Sequence, residues 1–233
     1  DYDLAKEKVL YSTAYAHLDT QWRWAYPFTI DVYLKRTLDG NFDLLDRYPD
    51  YVFNWTCASR YQFIKEYYPE RYERLKEYID QGRWFVSGSS VEEGDVLVPS
   101  PEALIRQVLY GNQFFEKEFG KTSQDYMLPD CFGFPAHIPS VWAHCGLEGF
   151  STQKLTWGSA VGIPFELGKW EGLDGNSLVA ALKPGPYVGS LNAPVHKKKG
   201  WAKRINSNGE KYGVFADFHY YGEGDRGGPL REQ

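Results

Sequence analysis

The chain has 233 residues, 42% hydrophobic and 17% aromatic, enough to bury one sizeable core and little for a second independent domain, so residues 1–233 are read as one domain or a large part of one. Its formal charge of −5 is spread along the sequence, and the longest basic run, His196-Lys197-Lys198-Lys199, reads as a solvated loop between Pro194 and Gly200, which argues against a nucleic-acid partner. No apolar stretch approaches the roughly 20 residues that span a bilayer, and the start "DYDLAKEKVL" is too charged for a signal peptide, so no membrane partner is expected.

In chain order, "KVLYSTAYAH" (8–17) reads as a strand, and the stretch from Pro27 to about Arg47 has helical apolar spacing. "YVFNWTCA" (51–58) is a second strand. The helical pattern that follows ends at Gly82 and is interrupted at Pro69. "RWFVSGSSV" (83–91) is a third strand; Ser100-Pro101-Glu102 then opens a helix with an N-cap and a proline in its first turn, and that helix runs to Gly120. "DYMLPD" (125–130), the helix "IPSVWAHCG" (138–146) and "EGFSTQKL" (148–155) continue the alternation. Beyond Trp157 the pattern loosens into Gly/Pro-rich loops, with "SLVAALK" and "YGVFADFHYY" as further strands. Such β-α alternation predicts an α/β fold, as an open sheet or a closed barrel, with its working groups where strands run into helices.

Cys57, Cys131 and Cys145 are odd in number and contain no C-x-x-C pair, so free, buried thiols are expected. The aromatic residues exceed what one core needs, and some should line a cleft of the kind that carbohydrate uses.

Five strand ends carry polar clusters. In "AYAHLDTQWRW" (14–24), His17 and Asp19 stand two apart on one face of a strand and can reach one ion, or can cap the strand. "MLPDCFGFPAHIP" puts Asp130 between a strand end and an aromatic rim, where it is either a ligand or nucleophile, or a turn cap. Glu92, Glu93 and Asp95 follow the third strand, Gln153 and Lys154 the fifth, and Glu223 and Asp225 a glycine-rich turn read as flexible. Each alone is an ordinary solvated loop; together, at successive strand ends, they describe a polar cleft.

The blocks "AHLDTQWRW", "RWFVSGSSVEEGDVLVPSPEALIRQVLYGNQFFEKEFG", "MLPDCFGFPAHIPS", "GFSTQKLTWGSAVGIPF" and "YYGEGDRGGP" resemble, in order, the amino-terminal catalytic domain of family 38 glycoside hydrolases, the retaining α-mannosidases, in their bacterial form. The resemblance implies an irregular seven-stranded β/α barrel, incomplete in this chain, and hydrolysis of terminal α-mannosides through a covalent glycosyl-aspartate. It implies one Zn²⁺, with His17, Asp19 and Asp130 matching three of the four ligands and Asp130 doubling as nucleophile. Asp225 matches the general acid/base, Trp22 and Phe132 the aromatic residues against the sugar, and Glu93 and Asp95 an acidic block assigned to substrate binding. The fourth ligand is expected beyond Gln233: it is a histidine in a block like "QFHD", and His219, in "DFHYYG", does not match it.

Also implied are a partner that is an α-mannose-containing oligosaccharide, room for homo-oligomers in a longer enzyme, and a bacterial periplasmic or cytoplasmic setting that the sequence leaves open. A zinc-dependent sugar deacetylase is the competing enzyme class, but its H-x-x-x-H pair is missing, since His137 and His144 are seven apart and read as helix-end residues. A non-catalytic carbohydrate-binding module would account for the aromatic residues and not for the carboxylates.

Overall fold

The computed structural model describes residues 1–156, 162–191, 193–194 and 197–231; Trp157, and His196 of the basic run, lie outside them. Two four-stranded sheets carry the chain. The first has the order β3-β2-β1-β8, all parallel, from β1 (Val9–Ala16), β2 (Phe53–Thr56), β3 (Trp84–Ser87) and β8 (Ala216–Glu223). The second has the order β4-β5-β7-β6, from β4 (Asp125–Met127), β5 (Gly149–Ser151), β6 (Leu167–Glu171) and β7 (Ser177–Ala181), with β6 antiparallel to β7 and the rest parallel. The α/β class is as expected. The seven-stranded barrel is not what the described residues form, because neither sheet closes on the other by a strand ladder. Their edges approach through isolated bonds instead: Ser89 Oγ to the Asp125 carbonyl (2.7 Å), and the amides of Tyr220 and Gly222 to the carbonyls of Pro184 (2.8 Å) and Gly189 (2.9 Å).

The first helical stretch is less uniform than its spacing suggests. A turn, α1 (Tyr26–Phe28), passes into a π-helical segment (Thr29–Leu34) and then α2 (Lys35–Arg47). Pro69 does split the next stretch, into α3 (Ala58–Tyr67) and α4 (Pro69–Asp80), with Tyr68 between them off helical geometry. α5 (Pro101–Phe119) starts as predicted: the Ser100 hydroxyl accepts from the Ala103 amide and Pro101 fills the first position, while Gly120 ends it at φ 60°. α6 (Ile138–His144) bears His137 and His144 at its two ends, and α7 (Lys199–Tyr212) takes up residues read as loop, including Lys199 of the basic run. No helix among the described residues is long and apolar enough to cross a membrane.

Each sheet has its own core. Phe53 meets the Trp84 ring edge-on at 4.7 Å, and Trp55 lies against it at 5.9 Å beneath α2–α4; in the other sheet Tyr126 stacks on Trp142 of α6 at 4.2 Å. Most of the aromatic excess is thus spent in the cores. Of the thiols, Cys57 is buried and Cys131 and Cys145 are half-buried; none is bridged. Between the sheets lies a cavity of about 910 Å³ lined by apolar residues such as Tyr11, Met127, Phe150 and Phe218.

Candidate active site

The site is built where strands end. β1 and β8 stay paired past their last strand residues, the His17 amide donating to the Glu223 carbonyl and the Asp19 amide to the Asp225 carbonyl, both at 2.9 Å. Leu18 is buried between them, which turns His17 and Asp19 to the other face together. Asp130 arrives from the turn after β4. His17 Nε2 lies 3.3 Å from Asp19 Oδ1 and 3.5 Å from Asp130 Oδ2, and the three donor atoms all lie within 4.8 Å of one another.

Two observations fit this trio to a cation. His17 Nε2 is buried and makes no hydrogen bond. In addition, ligand bonds of about 2.0–2.2 Å at tetrahedral angles set neighbouring donors roughly 3.3–3.6 Å apart, the spacing seen from His17 Nε2 to each of the two carboxylates. The residues present therefore suit Zn²⁺, with one imidazole nitrogen and two carboxylates. Burial alone lowers the proton affinity of the imidazole, but Glu93, Asp130 and Asp19 outweigh it and hold His17 well above its ordinary value. Those carboxylates create a place for positive charge, which a proton or a metal can fill.

Asp130 divides its oxygens. Oδ2 faces His17, while Oδ1 pairs with the buried Lys154 ammonium, itself 4.8 Å from the centre of the Phe132 ring. Burial pushes the Asp130 carboxyl up, and the nearby His17 and Lys154 bring it below its ordinary value, so it is ionised at neutral pH.

Asp225 stands two residues past β8 at φ 60°, and its Oδ1 accepts from the Tyr187 hydroxyl at 2.9 Å. Tyr187 follows β7, its amide donates to Gln153 Oε1, and its ring lies 4.7 Å from the imidazole of His17, so one aromatic ring borders both the metal trio and Asp225. Two glycines make this possible. A Cβ on Gly222 would fall 1.7 Å from the Tyr15 carbonyl oxygen, and one on Gly224 would fall 2.2 Å from the Tyr187 ring. The turn just past Asp225 is tied down at several points: Thr37 Oγ1 accepts from the Gly228 amide and Arg36 donates to the carbonyls of Arg226 and Gly227, which links residues 226–228 to α2, and Leu18 bridges to Arg226.

The remaining expected residues separate. Phe132 is 66% exposed beside Lys154, at the rim. Trp22 is 54% exposed, edge-on to Trp24 and covered by the Arg23 guanidinium at 4.3 Å. Asp95 spends Oδ1 on the amides of Leu97 and Val98, which shapes its loop. The Glu93 side chain, expected at the sugar, is 6% exposed and lies behind His17, its Oε2 3.2 Å from Nδ1. His219 stands apart from the trio, with its ring on Trp201 and Nδ1 at the Pro184 carbonyl. Sequence reading missed Tyr187, although it too follows a strand end, in "KPGPYVG".

Carboxylates and an imidazole are thus gathered at the C-terminal ends of parallel α/β strands, around a place that could hold a cation and beside the exposed Phe132 ring, the arrangement of an α/β active site. The family model of the glycosyl hydrolases family 38 N-terminal domain matches residues 8–232, and the chain belongs to that family. It is 39% identical over 175 residues to alpha-mannosidase G of Dictyostelium discoideum and 31% identical over 222 residues to alpha-mannosidase 2C1 of Homo sapiens, covering 75% and 95% of this chain. It spans 16% and 21% of the lengths of those relatives. Among solved structures, an alpha-mannosidase from Enterococcus faecalis V583 shares the fold with a TM-score of 0.76 at 20% identity, over 95% of this chain and 26% of that one.

Proposed function

We propose that this chain carries the active centre of a zinc-dependent retaining α-mannosidase acting on α-mannose-containing oligosaccharides. The observation that carries the reading is the donor set His17, Asp19 and Asp130, joined to Asp225 through Tyr187, in a domain of the family whose named relatives are alpha-mannosidases. Zinc held by His17, Asp19 and Asp130 would supply a positive charge that binds sugar hydroxyls, the axial 2-hydroxyl of mannose among them.

The protein groups do the rest. A carboxylate oxygen of Asp130 attacks the anomeric carbon and forms a glycosyl ester as the glycosidic C–O bond breaks, and Asp225 gives its proton to the departing oxygen. Water then attacks the same carbon, returns a proton to Asp225 and frees Asp130, so the configuration is retained. This order needs the two carboxylates roughly 5 to 5.5 Å apart across the sugar. Lys154 keeps Asp130 in place and ionised, and Phe132 offers an apolar face at the rim.

Hydrolysis of an aryl α-mannoside by the intact protein is the test. The reading predicts turnover that a chelator removes and Zn²⁺ restores, and none with Asp130→Asn; undiminished turnover in that variant would sink the nucleophile assignment. Asp225→Asn should harm substrates with poor leaving groups far more than activated ones, whereas equal losses argue against an acid/base role.

A further inference from the structure

Glu93 is a buried carboxylate that the reaction above does not use. Its Oε1 takes hydrogen bonds from the Tyr15 hydroxyl and the Thr56 hydroxyl, and from Arg60 Nη1 at 3.1 Å, while Oε2, which makes no other hydrogen bond, lies at ion-pair distance, 3.2 Å, from His17 Nδ1, nearer than the Tyr15 hydroxyl at 3.5 Å. Arg60, fully buried on α3, also donates through Nη2 to the Leu18 carbonyl at 2.6 Å, the backbone link between His17 and Asp19. The neighbouring Glu92 accepts from the Thr20 hydroxyl at 2.8 Å and from Ser59 at 2.9 Å. One acidic pair and one guanidinium thus hold the imidazole of the first metal-trio residue and the chain on both sides of the second.

We infer that Glu93 is a positioning residue for the cation site: it accepts the Nδ1 proton of His17, so that the ring presents Nε2, bare and correctly aimed, to Asp19 and Asp130, with Arg60 as the counter-charge that lets a carboxylate stay buried there. This rests on the zinc reading given above. The physical warrant is general. A neutral imidazole has one N–H and one lone pair, so fixing the proton on Nδ1 places the lone pair on Nε2. A carboxylate behind the ring also raises its donor strength, and substituting such partners typically costs about 10- to 100-fold in metal affinity. A buried carboxylate needs partners of its own, which Tyr15, Thr56 and Arg60 provide.

The experiment is a Zn²⁺ titration of the intact protein, with and without substitution at Glu93, alongside ¹⁵N NMR of His17. Glu93→Gln keeps a carbonyl acceptor for Nδ1–H and loses the charge, so its zinc affinity should fall about 10-fold with the tautomer kept; Glu93→Met should lose about 100-fold and leave the tautomer mixed. Wild-type affinity in both variants overturns the positioning role while leaving the zinc site standing. Failure of the wild type to bind zinc overturns both. Should either variant fail to fold, the wild-type spectrum decides: zinc-bound His17 must carry its proton on Nδ1, and metal on Nδ1 or a bare Nδ1 sinks the inference.

Discussion

Tyr187 shows how one side chain can serve two halves of a site. Its hydroxyl donates to Asp225 while its ring borders His17, so the carboxylate proposed as acid/base is oriented by a residue that also walls the proposed metal ligands. An ordinary hydrogen bond is worth about 0.5–1.5 kcal/mol. Tyr187→Phe should therefore lower kcat/KM on an α-mannoside by about 2- to 10-fold while zinc affinity holds. Wild-type kcat/KM in that variant would show that Asp225 is positioned by the backbone turn alone. Residue-scale reading of the sequence reached His17, Asp19, Asp130 and Asp225 because each follows a strand end. It did not foresee that Glu93 is buried, because an acidic residue in a loop looks solvated until its counter-charge is known, and Arg60 lies far back along the chain on α3.

At the scale of elements, capping chemistry was the most legible part. Ser100-Pro101 opens α5 as the sequence predicts, and Ser100→Ala should cost about 1 kcal/mol. In a chain of this size that is a fall of roughly 2–4 °C in Tm. Thermal unfolding reads it directly, and an unchanged Tm would mean that packing against the core holds the helix end without its cap. The elements that escaped were β6 and α7. "LGKWE" is short, contains glycine and pairs only as an antiparallel edge, so it has little of a strand's usual signature. "KGWAKRINSNGEKY" carries two glycines, serine and two asparagines, poor helix formers; what fixes it is tertiary, since Phe215 packs where a side chain on Gly209 would stand. The π-helical turn at Thr29–Leu34 was invisible for a different reason: its apolar spacing is still helical.

For the whole molecule, the buried charges set the response to pH. Burial would raise the Glu93 carboxyl, but Arg60, and then His17, hold it down to about 2 from its ordinary 4.5. A carboxylate whose folded value is depressed contributes stability that is complete above its unfolded value and is lost as pH falls through the folded one. The metal-free protein should thus weaken steadily between about pH 4.5 and 2, and Glu93→Gln should flatten that limb. Denaturant midpoints across this range measure it; parallel wild-type and variant curves would assign the acid sensitivity to other groups. The pairing of β1 with β8 has a further consequence, in time. On a ribosome the segment bearing His17 and Asp19 emerges first and the one bearing Asp225 last of the strands described, so β1 waits with an open edge while the elements between it and β8 are made. The carbonyls of Glu223 and Asp225 that hold the amides of His17 and Asp19 thus reach them only after every other described strand has been made, so the strand that frames the proposed cation site is also the last to join it.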